Sequence, residues 1–221
     1  MTNHKLYNKV GRVFLAAILA MSTTVASADT LRVEIDTSSL GGKGWLDLLF
    51  NPSTANSALA TTHLYDFVGF DAVGGAQTGG GVSGSLTAGY TLDNMNSGSE
   101  LFHSVNFGGK VGFSVDFSGA AGSAINRSLS TLTVAMYGAD QTTLLGNGDP
   151  LSGALVQLYW LPPTANTVGT VTSRVFDNLA SVGPALPVAP VPEPSTWLMM
   201  GAGLGLVVLA RRRKASHVLA A

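Results

Sequence analysis

Val111-Gly112-Phe113-Ser114-Val115-Asp116-Phe117 decides the fold class, because large apolar side chains strictly alternate with small or polar ones over seven residues. A period of two puts Val111, Phe113, Val115 and Phe117 on one face of an extended strand and Gly112, Ser114 and Asp116 on the other. The same alternation recurs on both sides of it. Leu31, Val33 and Ile35 oppose Arg32, Glu34 and Asp36; Leu86, Ala88, Tyr90 and Leu92 oppose Thr87, Gly89 and Thr91. Leu132, Val134 and Met136 oppose Thr133 and Ala135, and Ala154, Val156, Leu158 and Trp160 oppose Leu155, Gln157 and Tyr159. Weaker strand patterns run over Leu64–Phe70 and Val171–Phe176.

Between these segments fall turn formers: Gly41-Gly42, Gly74-Gly75, Gly79-Gly80-Gly81, Asn96-Ser97-Gly98, Gly108-Gly109 and Gly146-Asn147-Gly148-Asp149-Pro150. Gly108-Gly109 reads as a tight hairpin joining Leu101–Phe107 to Lys110–Phe117. Thr54–Thr61 allows at most a helical turn. Many short strands without a βαβ pattern predict an all-β body over residues 29–182, an antiparallel β-sandwich or jelly roll.

Charge is unevenly placed. The net value is −1, yet seven of the 12 basic residues lie near the ends: Lys5, Lys9, Arg12, Arg211, Arg212, Arg213 and Lys214. From Asp29 to Pro190 five cations face twelve acids, a balance of −7. That argues against a nucleic-acid partner, since phosphate neutralisation needs clustered Lys and Arg. Charged residues total only 11%, and the absence of Cys excludes disulfides, thiolate metal sites and cysteine nucleophiles.

Residues 1–28 read as a signal peptide with an N-terminal signal helix. A cationic start precedes a 13-residue, mostly apolar run, Val13–Val25. Ala26 and Ala28 then supply the small side chains a signal peptidase accepts. The run is too short to span a hydrocarbon core of roughly 30 Å.

Residues 183–194 (GPALPVAPVPEP) form a Pro-rich linker, extended to at most about 37 Å in polyproline II. Trp197–Ala210 follows without a charge, a single membrane helix of only about 21 Å. Arg211, Arg212, Arg213 and Lys214 stop it and fix the cytoplasmic side; residues 215–221 are a cytoplasmic tail. Pro192-Glu193-Pro194, the glycine-containing helix over 195–214 and the basic cluster together resemble the PEP-CTERM sorting domain of Gram-negative bacteria. The resemblance implies handling by an exosortase at the inner membrane. It further implies removal or exchange of the tail, and delivery to the cell surface or exopolysaccharide matrix of a biofilm. Leu161-Pro162-Pro163-Thr164-Ala165, which looks like a sortase signal, reads instead as a loop between strands.

Chemistry in the body is sparse. His63 and His103 are its only histidines; no G-x-S-x-G or H-E-x-x-H occurs, and Gly79–Gly84 lacks the lysine of a phosphate loop. Asp66 with Asp71, or Asp93 with Glu100, are candidate acid–base pairs for a glycoside hydrolase. No catalytic residue, metal ligand or cofactor is assigned. Asp93–Glu100 and Asn147-Gly148-Asp149 carry enough oxygen for a structural calcium, though plain turns explain them as well. Asn126-Arg127-Ser128 fits an N-glycan sequon. Trp45, Tyr159 and Trp160 are candidate glycan contacts, with core packing the competing role. The expected function is therefore non-enzymatic: a structural or adhesive exported protein, or alternatively a carbohydrate-binding module.

Overall fold

A computed structural model describes residues 30–95, 97–121 and 128–185. The expectations for the signal peptide with Ala26 and Ala28 lie outside the described residues. So do those for the Pro-Glu-Pro motif, the membrane helix, the basic cluster, the tail and the start of the sequon.

The described body is all-β, with twelve strands. In chain order they are β1 Leu31–Asp36, β2 Lys43–Pro52, β3 Ala60–Val68, β4 Ala76–Gly79, β5 Val82–Ser85 and β6 Gly89–Asp93. Then come β7 Ser99–Asn106, β8 Lys110–Gly119, β9 Ser130–Tyr137, β10 Val156–Leu161, β11 Thr170–Val175 and β12 Ala180–Pro184. They form two antiparallel six-stranded sheets, β12-β1-β8-β3-β6-β5 (sheet A) and β11-β10-β9-β2-β7-β4 (sheet B). No helix is present among the described residues.

The alternating apolar set of each sheet turns inward into one core. Val111, Phe113, Val115 and Phe117 of β8 are fully buried, as are Leu46, Leu48 and Phe50 of β2 and Leu132, Val134 and Met136 of β9. Aromatic contacts join the layers: Phe117 of sheet A stacks on Trp160 of sheet B at 6.0 Å and tilts against Phe50 at 6.0 Å. Each such side chain contributes roughly 1.5–3 kcal/mol of burial. His103 belongs to this core, ringed by Phe70 and Tyr90 at 5.2 and 5.9 Å, with Nδ1 hydrogen-bonded to the Ser104 carbonyl at 2.9 Å.

Three expectations are corrected. Gly108-Gly109 does not close a hairpin: β7 lies in sheet B and β8 in sheet A, so the turn carries the chain across the core. Gly108 sits at φ 99°, a conformation that suits glycine, and its N–H donates to the Thr37 carbonyl at 3.1 Å. The alternation over 86–92 contains a turn, with β5 and β6 pairing on either side of it. The body also runs past residue 182: β12 pairs with β1 to Pro184, and the Ala185 N–H reaches the Thr30 carbonyl at 3.0 Å. Proline is tolerated there because β12 is an edge strand.

Candidate functional site

The three aromatic residues singled out in the sequence are not brought together. Trp160 is fully buried against Phe117, which removes it as a ligand contact, and leaves its Nε1 without a partner. Trp45 and Tyr159 do lie on the outward face of sheet B. Register places Tyr159 level with Asn51 through Thr131, six positions along β2 from Trp45. At ~3.3 Å per residue that is roughly 20 Å.

Trp45 has different company. On β2 the inward residues are Gly44, Leu46, Leu48 and Phe50, so Trp45, Asp47, Leu49 and Asn51 face out. Cross-strand register then sets Trp45 opposite Tyr137 of β9, and Asp47 opposite Phe102 of β7. Trp45 stacks on Phe102 with ring centroids 4.9 Å apart and 18° between planes; Phe102 meets Tyr137 edge-on at 5.7 Å. All three rings are half-buried. Such pairs contribute about 0.5–1.5 kcal/mol beyond their area.

Asp47 sits in this ring cluster. Its Oδ1 is buried and meets no hydrogen-bond donor. Burial, reinforced by the Glu100 charge, pushes its carboxyl up to about 6. Glu100 lies diagonally across on β7, since it faces Leu49 in the register. Burial also raises the Tyr137 hydroxyl, with smaller contributions from Asp47 and Glu100. A half-buried carboxylate with one oxygen shielded from water and no donor is costly and marks a functional candidate on physical grounds.

The acids paired in the sequence take up separate contacts. Asp66 lies at a bulge of β3 with φ 52° and accepts from Ser114 Oγ on sheet A at 3.4 Å. Asp71 is buried and takes Lys43 Nζ at 2.6 Å, a contact that holds its carboxyl below the usual range. Asp93 turns its Oδ1 to the Met95 N–H at 3.0 Å, while Glu100 faces outward on sheet B. The structure instead associates Glu100 with Asp47, a residue that reading along the chain passed over. The available signal was a single acid inside the apolar run Trp45-Leu46-Asp47-Leu48-Leu49-Phe50.

The oxygen-rich turns are closed by their own backbone. Asp149 Oδ2 accepts from Ser152 N and Oγ at 2.9 and 2.8 Å, and Asp177 from the N–H groups of Asn147 and Leu179. Among the described residues no three His, Asp or Glu side chains converge as a metal site. An open recess of about 730 Å³ lies beside Pro52, Thr54, Leu59 and Met95. Its most buried polar residue, Asn94, is engaged with Ala60 N, the Ala58 carbonyl and Ser130 Oγ at 2.8–3.0 Å.

No curated protein and no solved structure matches the chain. One family does: the PEP-CTERM protein-sorting motif matches residues 190–214, covering Pro192-Glu193-Pro194 and the cluster Arg211, Arg212, Arg213 and Lys214. A body rich in short strands and small polar residues is thus followed by an address that a membrane enzyme reads. The chain carries a PEP-CTERM protein-sorting motif over residues 190–214, and that motif supports exosortase-dependent sorting of an exported protein.

Proposed function

We propose that the mature protein is a non-catalytic structural or adhesive component of the cell surface or exopolysaccharide matrix. The observation that carries this reading is the sorting motif at 190–214 following an all-β body. In the proposed route a signal peptidase cuts after Ala28 and the precursor is held in the inner membrane by residues 195–214. The exosortase then removes or exchanges the tail near Pro192-Glu193-Pro194. The two prolines keep that segment extended for a protease groove, and Glu193 supplies one charge to read. Replacing Pro192, Glu193 and Pro194 by alanine is expected to leave the full-length precursor in the inner membrane fraction. A wild-type surface protein that still carries peptides from 195–221 overturns the processing step.

A second reading, a carbohydrate-binding module, is favoured by the half-buried rings Trp45, Phe102 and Tyr137 on an outward sheet face. Rings of this kind stack on the C–H faces of sugars. Retention of soluble glycans on the immobilised full-length protein tests it. Release of new reducing ends in the same assay would instead replace the non-catalytic reading with a hydrolase.

A further inference from the structure

We infer that Asp47, Glu100, Trp45, Phe102 and Tyr137 form a binding subsite for a cationic amino sugar, the ammonium-bearing unit of a partly or fully deacetylated hexosamine polymer. This rests on the carbohydrate-binding reading and specifies its ligand class.

The argument begins with an imbalance of charge. Asp47 and Glu100 lie on neighbouring strands of one face, the Glu100 charge adds to the cost of ionising the half-buried Asp47, and no donor reaches Asp47 Oδ1. Every cation of the described body is engaged elsewhere. Lys43 is held by Asp71 at 2.6 Å and Lys110 by Glu34 at 2.9 Å. Arg32 donates to the Asp66 carbonyl at 2.6 Å, and Arg174 lies 4.5 Å over the Phe176 ring. The chain between Asp29 and Pro190 is itself acidic by seven charges. A cation that answers this pair therefore comes from outside the described body.

The surroundings narrow the kind of cation. A bare, strongly hydrated metal ion gains little from aromatic walls and has only two carboxylates to bind, fewer oxygens than such ions prefer. An ammonium gains from both features: its N–H groups donate to the carboxylates, and ring faces attract its charge. Trp45, Phe102 and Tyr137 also present apolar surface beside the carboxylates, which suits a ligand whose charged nitrogen is attached to a compact C–H-bearing ring. A pyranose amine satisfies the carboxylates and the aromatic rings together. Uncharged glucans satisfy only the rings, and anionic polysaccharides meet two like charges.

Binding carries a proton signature. Asp47 is raised to about 6 in the free protein, with Glu100 and Tyr137 the titratable groups facing it from β7 and β9. A bound ammonium favours its ionised form, so affinity falls on the acid side as Asp47 takes up a proton and falls again on the alkaline side as the sugar amine loses its own.

The test measures binding of fully deacetylated chitohexaose to the full-length protein in detergent near neutral pH. Its N-acetylated counterpart, cellohexaose and an oligolysine are the comparisons. The deacetylated sugar is expected to bind, with N-acetylation or Asp47→Asn weakening it at least about tenfold. Trp45→Ala should weaken it in the same direction. Asp47→Asn removes an unpartnered charge and should fold at least as stably as the wild type, so its loss of binding cannot be ascribed to unfolding. Equal affinity for the acetylated and deacetylated sugars, or no change on Asp47→Asn, overturns the inference. Oligolysine binding as tightly as the amino sugar overturns the sugar assignment. Cellohexaose binding alone sinks the inference but keeps the carbohydrate reading; no glycan binding at all sinks both.

Discussion

The two outward faces of the body solve the same problem with different chemistry. On sheet A the acids have donors: Glu34 takes Lys110 Nζ at 2.9 Å, Asp116 takes Thr30 Oγ1 at 2.5 Å, and Asp66 takes Ser114 Oγ at 3.4 Å. Thr61 and Ser118 share a further hydrogen bond at 2.7 Å. On sheet B the centre of the face is Trp45 stacked on Phe102, with Asp47 left unpartnered among the rings. The first arrangement is self-sufficient in water. The second keeps a charge that works against the stability of the fold.

The largest effect should come from beneath both faces. Phe117→Ala removes the ring that joins Trp160 and Phe50 across the core, and a loss of about 3–5 kcal/mol is expected by denaturant unfolding. Comparable loss of both sheets, followed by amide exchange, would show that they share one cooperative core; survival of one sheet would break the comparison at its base.

Asp47 separates the faces by sign. Its folded-state carboxyl is raised from 3.8 to about 6, so the folded protein holds this proton more tightly than the unfolded chain. The resulting destabilisation is absent below the unfolded value. It grows as pH rises between the two values and is complete above about 6. Asp47→Asn should therefore stabilise the protein by on the order of 2 kcal/mol at neutral pH and by almost nothing in acid. Glu34 behaves oppositely: Lys110 lowers its carboxyl, and its contribution is lost as pH falls through the folded value. Melting curves of the variant and wild type across pH check both directions.

The smallest effect belongs to sheet A. Lys110→Ala breaks an exposed ion pair and should cost little, with the loss shrinking as salt is added. A loss as large as that of Phe117→Ala would mean that the polar face carries far more of the stability than its exposure allows.

Strands with one wet face were legible in the chain. β1, β8 and β9 show clean alternation because their outward residues are polar, small or hydroxylic, whereas the run leading into β10 buries Leu155 along with Ala154 and Val156. β2 was not legible, although it is the centre of sheet B. Trp45 and Leu49 face outward while Leu46, Leu48 and Phe50 face inward, so apolar residues fill both sides and the period disappears. The feature that hid the strand is the one that builds the candidate site. β4 and β5 have only four residues each and little buried surface, too short to carry a pattern. The Gly108-Gly109 turn was visible, but not that it crosses between sheets, because a turn's local geometry does not name the partner of either strand.

The sequence by itself determined the sorting address, since a Pro-Glu-Pro motif, an uncharged run and a basic cluster act through their order along the chain. It also determined the all-β class, because a period of two is a local property of extended backbone. Only the tertiary structure decided which strands pair, that Trp160 is core while Trp45 is surface, and that Asp47 meets Glu100 among aromatic rings. The last of these depends on register between strands more than fifty residues apart at Asp47 and Glu100, and register is fixed by the packing of the whole core.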